Sequence, residues 1–171
     1  MNIRPIEKSD LKQIQKWRNN KNVMPFVREY RKLSLEQINK WYDSMIFDDK
    51  FEMFIMENNK ELIGVCGLTY INWQNKHADL HFAIYKNFEW IDKDYAPKFY
   101  EIITDYAFNE LNLNKIYVEV YENDDKKIKF FKDRNFTKDA CLRNHYFHKG
   151  EYLDSYILSL LSDEYKQQKI N

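Results

Sequence analysis

Glycine is scarce in this chain: three in 171 residues, against about 7% in ordinary proteins. The shortage leaves none for FEWIDKDYAPKFYEI (88–102), where a strand-like run gives way to a helix. A phosphate loop at such a junction is normally rich in glycine and poor in negative charge; this one carries Asp92 and Asp94. Lys, Asn and Ile are abundant instead, a bias that an AT-rich genome produces and that alone can remove glycine. Cysteine is equally sparse. Cys66 and Cys141 form no CxxC or Cys/His ligand spacing, which argues against a metal site and for a reducing compartment. Charge of either sign is not in excess, with 27 basic and 27 acidic residues, so no global field recruits nucleic acid or an anionic membrane. No apolar run approaches twenty residues and MNIRPIEKSD has no signal-peptide pattern, so the expected location is the cytoplasm.

What is present belongs to a folded protein. Apolar residues make up 44% and aromatics 17%, and the length suits a single domain over 1–171. Residues 2–6 suit a first strand, and Leu11, Ile14 and Trp17 a helix capped near Ser9. SLEQ at 34–37 has capping-box spacing ahead of a stripe of Leu35, Ile38, Trp41, Tyr42, Met45 and Ile46. Strands are expected at 51–57, 61–71, 78–85, 115–121, 140–147 and 151–161. A helix follows Pro97, and a short one capped by Asp124 or Asp125 carries Ile128 and Phe131. The order β α α β β β α β α β β predicts an α+β fold, with a mixed, mostly antiparallel twisted sheet of about seven strands and four flanking helices.

Taken in order, IRPIEKSDL (3–11), WRN (17–19), INWQNKHADLHFAI (71–84), YAFNELNLNKIYVEVYEN (106–123) and LRNHYFHKGEYLDSYILSLL (142–161) resemble the GNAT superfamily of acyl-CoA-dependent N-acetyltransferases. The likeness spans nearly the whole chain. It is greatest to the branch acting on ribosomal proteins, polyamines and nucleotide-linked amino sugars.

The resemblance implies acetyl-CoA as co-substrate, a small-molecule amine as partner, and a homodimer as a compatible assembly. The family's Gly-x-Gly-x-Gly/Ala loop falls here on Asp92-Lys93-Asp94-Tyr95-Ala96, and only Ala96 meets the pattern. Family positions for Asn, Tyr and Gly-Phe fall on Asp124 beside Asn123, on Phe131, and on Asn135-Phe136. Asparagine substitutes readily for a helix-ending glycine, but Phe131 has no hydroxyl with which to protonate a leaving thiolate. Cofactor contacts are thereby expected at Phe82, Ile84, Lys93, Asp94, Tyr95, Ala96, Asn123, Asp124 and Phe131. His81 and Glu119 are the candidate bases; a structural histidine and an ion-paired carboxylate are the plain alternatives. Arg18, Asn19, Trp73 and Tyr146 are candidates for the acceptor, with an amino sugar on a nucleotide the favoured amine. Asp92, Asp94, Asp124, Phe131 and Asn135 departing together also admit a non-catalytic GNAT-like domain, and an open acidic groove would admit a protein N-terminus.

Overall fold

The computed structural model describes residues 1–23, 31–86 and 94–170, the side chain of Ile170 excepted. Among them are β1 (Asn2–Pro5), α1 (Leu11–Arg18), α2 (Leu35–Met45), β2 (Glu52–Asn58), β3 (Glu61–Asn72), β4 (His77–Ile84), α3 (Ala96–Asp105), β5 (Lys115–Tyr121), α4 (Asp125–Lys132), β6 (Thr137–His148), β7 (Glu151–Leu161) and α5 (Ser162–Ile170). The strands hydrogen-bond in the order β1-β2-β3-β4-β5-β7-β6. Pairing is antiparallel for β1–β2, β2–β3, β5–β7 and β6–β7, and parallel for β4–β5. This is the expected mixed α+β sheet, with α5 as a fifth helix beyond the four foreseen. No described helix is long and apolar enough to cross a membrane.

The chain divides into two compact units, Met1–Thr69 with Phe82–Ile103, and Tyr70–His81 with Thr104–Asn171. In the first, the capping box forms as SLEQ predicts: the Gln37 N–H donates to Ser34 Oγ (3.1 Å) and the Ser34 N–H to Gln37 Oε1 (2.8 Å). Asn59 and Lys60 both take left-handed φ (50° and 68°), the geometry of a tight hairpin turn between β2 and β3. The core gathers Leu11, Ile14, Trp17, Ile38, Met45, Ile55 and Val65. Two glycines are fixed by close packing in this unit. A methyl at Gly64 would overlap the carbonyl oxygen of Ala83, and one at Gly67 that of Glu52.

In the second unit β5 buries Ile116, Val118 and Val120, opposite Leu160, Leu158 and Tyr156 of β7. Asp124 caps α4 by accepting from the Lys127 N–H at 3.1 Å, and Asn135 ends it at φ 61°. Among the described side chains of the unforeseen α5, SDEYKQQKI, Tyr165 is the buried anchor. That ring stacks on Phe108 (4.8 Å) and its hydroxyl donates to Asp105 (3.0 Å).

Candidate active site

In the first unit α3 opens at the buried Ala96, and the Phe99 N–H closes its first turn on the Tyr95 carbonyl at 3.0 Å. The amides of Ala96 and Lys98 lie ahead of that bond, and the first turn contains no acidic residue. Such amides, with the helix dipole behind them, can receive an anion. Asp94 just before them is exposed, while Tyr95 is half-buried. The Lys86 ammonium donates to Glu61 (2.7 Å) and to the Tyr95 hydroxyl (2.8 Å), tying the second residue after β4 to the approach to α3. Those partners, Glu61 foremost, hold the ammonium well above the ordinary lysine range. Asp92 and Lys93 lie outside the described residues. Phe82 and Ile84 are buried on β4.

Arg18 and Asn19 end α1 as expected, but the Asn19 amide serves the chain itself. Its Nδ2 donates to the Leu33 carbonyl and its Oδ1 accepts from the Leu33 N–H, both at 2.8 Å. This clamp fixes the entry to α2 and commits a side chain that the sequence offered to the acceptor. Trp17 is core, stacked on Tyr85 at 5.1 Å. Burial pushes the Tyr85 phenol up to about 12, so it stays protonated across neutral pH.

The second unit carries His81, Glu119 and Tyr146 on one sheet face. β4 and β5 pair through His77–Lys115, Ala78–Ile116 and Asp79–Tyr117. Alternation then puts His77, Asp79 and His81 of β4 on the same side as Tyr117, Glu119 and Tyr121 of β5. His81 is half-buried. The Glu119 side chain is 11% exposed, and its Oε1 lies 3.8 Å from His145 Nε2 on β6. Tyr121 stacks on Tyr146 with ring centroids 3.8 Å apart and planes within 9°. Tyr146 is buried, and its hydroxyl is 3.3 Å from His148 Nδ1. Small Ser155, opposite both Tyr121 and Leu142, leaves room for this stack over β7.

The remaining candidates are placed as follows. Asn123 is exposed and Asp124 caps α4. Phe131 is buried, edge-on to Phe130 at 5.3 Å and against Phe136 at 5.0 Å. Trp73 is half-buried beneath the Lys76 ammonium, 5.6 Å from its ring centroid. His145, Tyr121 and Lys86 were not singled out by sequence. The residue before His145, Asn144, takes φ 50° at one of the two register shifts in β6. No described cluster of His, Cys, Asp and Glu has the form of a metal site.

A sequence profile for the Acetyltransferase (GNAT) domain matches residues 3–157. The spermidine N(1)-acetyltransferase of Vibrio cholerae is 28% identical over 166 residues, covering 96% of this chain and 95% of that protein. A crystal structure of spermidine N-acetyltransferase from Vibrio cholerae, in complex with CoA and spermine, superposes with a TM-score of 0.89 at 27% identity, over 96% of this chain and 97% of that one. A dodecameric structure of the Vibrio cholerae enzyme, in an intermediate state, has a TM-score of 0.84 at 25% identity, over 98% and 96% of the two chains.

Proposed function

The chain belongs to the GNAT acetyltransferase family, and on that premise we propose that the amine it acetylates is that of a polyamine. The protein is an acyl-CoA N-acyltransferase that moves an acetyl group from acetyl-CoA to an amine. The observation that carries the polyamine reading is likeness over almost the full length of both chains to spermidine acetyltransferases. The sheet face supports it. Asp79 and Glu119 stand among Tyr117, Tyr121 and Tyr146, and carboxylates with aromatic faces suit a flexible chain bearing several ammonium groups. An amino-sugar nucleotide is less well served, because the Asn19 amide reserved for its phosphate or sugar holds Leu33 instead. The dodecameric relative favours assembly of this chain beyond the homodimer that the sequence allowed.

The residues present fit the co-substrate. Phosphates suit the amides of Ala96 and Lys98 at the opening of α3, where no acidic first-turn side chain opposes them. Asp94 is exposed, and backbone N–H groups rather than side chains make the cradle. When bound, acetyl-CoA supplies the activated thioester. The chain must orient the amine, accept the proton of its ammonium form and exclude competing nucleophiles. Cys66 is buried and burial pushes its thiol up. Cys141 hydrogen-bonds Asp154, which raises its thiol as well. Neither is suited to a covalent acyl intermediate, so transfer is direct.

The test is incubation with acetyl-CoA and, separately, spermidine, spermine, an amino-sugar nucleotide and a peptide N-terminus, reading liberated CoA by chromatography and the acetylated product by mass. Turnover of a polyamine far above the others is expected. Turnover of the sugar nucleotide or the peptide alone overturns the polyamine reading, and turnover of none overturns catalysis.

A further inference from the structure

We infer that His145, turned toward Glu119 by a bulge in β6, takes the proton from the acceptor's ammonium group, with Glu119 as its positioning residue. The inference rests on the amine-acetyltransferase reading above. Its first support is the bulge. Leu142 stands opposite Ser155 and Tyr146 opposite Leu153, so the segment Arg143-Asn144-His145 of β6 is matched by Asp154 alone on β7. The irregularity is firmly tied. The Asn144 N–H donates to Asp154 Oδ1 (2.9 Å), and the Asp154 N–H donates to Glu122 Oε1 (2.9 Å). The Glu122 N–H in turn donates to the Asp154 carbonyl (3.0 Å). Asn144 first, and then Cys141, hold the Asp154 carboxyl below its usual range. Bulges fixed in this way commonly re-aim a side chain beside an active site.

The second support is where His145 arrives. Its Nε2 is 3.8 Å from Glu119 Oε1, across two strand positions, with Ile157 opposite Glu119 and small Ala140 opposite Ile157. Exposure is divided unequally: 11% for the carboxylate side chain and 53% for the imidazole. An inward carboxylate 3.8 Å behind an outward imidazole is placed to orient it as a proton acceptor. Titratable and charged groups on the strands about it include Glu119 and Tyr121 of β5, Asp154 of β7 and Arg143, Tyr146 and His148 of β6 itself, with Asp79 and His81 of β4 on the same face as Glu119.

The proton ledger closes. An ammonium N–H bond breaks and an imidazole N–H bond forms, leaving a neutral amine. Its lone pair makes the C–N bond while the thioester C–S bond breaks, and the nitrogen's surplus proton goes to the thiolate sulfur. Imidazolium then returns its proton to solvent. This route needs no hydroxyl at Phe131.

Steady-state kinetics of the full chain with spermidine, for wild type, His145→Gln and Glu119→Gln, test this from about pH 6 to about pH 10, where an alkylammonium sheds its own proton. His145→Gln should lower kcat by about 10²–10⁴-fold near neutrality, leave KM for acetyl-CoA unchanged, and recover as pH rises. Glu119→Gln should show a smaller loss with the same trend. Thermal melts of both variants, and calorimetric acetyl-CoA affinity, separate lost chemistry from lost fold. Wild-type rates in His145→Gln, or a deficit that does not change with pH in a folded variant, overturn His145 alone. A wild type that acetylates no amine removes the proton to be taken, and overturns both readings.

Discussion

Replacing Asp10 by asparagine should destabilise the first unit in a way that depends on pH. Asp10 is 4% exposed and accepts three hydrogen bonds: from Arg4 Nη1 and Nη2, both at 2.8 Å, and from the Glu7 N–H at 2.9 Å. An asparagine of the same shape keeps one oxygen but turns an NH₂ group toward the guanidinium, donor against donor. Breaking a buried pair from one side costs about 3–5 kcal/mol. Arg4 is 30% exposed and retains Glu57 at 3.2 Å, so the loss should sit lower, about 2–3 kcal/mol. For a chain of this size that lowers Tm by about 4–12 °C. The sign with pH follows from the carboxyl: Arg4 first, and then the Glu7 amide, outweigh desolvation and hold Asp10 below its usual range. The unfolded chain therefore binds more protons. The contribution is complete above the unfolded value of about 3.9 and is lost as pH falls through the folded one. Urea unfolding of wild type and Asp10→Asn at neutral and acid pH reads this, and the two stability curves should converge in acid. A neutral-pH gap below about 0.5 kcal/mol, or a gap unchanged in acid, would refute the reasoning.

Two further outcomes follow from packing. Gly64→Ala forces a methyl into the Ala83 carbonyl and should cost about 1–3 kcal/mol or more, whereas Gly150→Ala, at φ 93° with open space around it, should lose about 1 kcal/mol from backbone strain alone; equal melting temperatures would sink the close-approach argument. In the native protein a thiol reagent should modify exposed Cys141 slowly and buried Cys66 only on unfolding. Asp154→Asn should speed the first reaction by removing the carboxylate that holds the thiol up, and peptide mapping of the labelled cysteines checks both.

Much of the fold was legible because local chemistry and burial agree. Ser34 and Gln37 form the capping box their spacing promises. Lys115–Tyr121 is a strand with Ile116, Val118 and Val120 on its buried face, and Asn135 takes the left-handed conformation that its family position requires. Where the sequence misled, a long-range partner decided. Asn19 reads as a polar residue at a helix end, and only the fold brings Leu33, fourteen residues on, to claim its amide. α5 is held by Tyr165 against Phe108 and by the Gln168 amide on the Arg134 carbonyl, contacts without periodicity. His145 reads as one more residue of an alternating strand until Asp154 captures the Asn144 amide and shifts the register.

The same comparison bears on the missing glycines. Gly64 and Gly67 stand where a side chain would collide with backbone, and there no other residue serves. An anion site at the opening of α3 has a different requirement. As proposed, it would draw on the N–H groups of Ala96 and Lys98, which any residue except proline supplies. A composition drifting away from glycine would therefore keep it at the sheet contacts and shed it where amides alone bind phosphate. The chemical departure with a direct consequence is Phe131, buried between Phe130 and Phe136 and without a proton to give. A transferase so built draws the sulfur's proton from the amine itself, from solvent or from another donor, which shifts weight onto the group that first deprotonates the ammonium. On the carboxylate-bearing face of the second unit, the bulge at Asn144 brings an imidazole to that task.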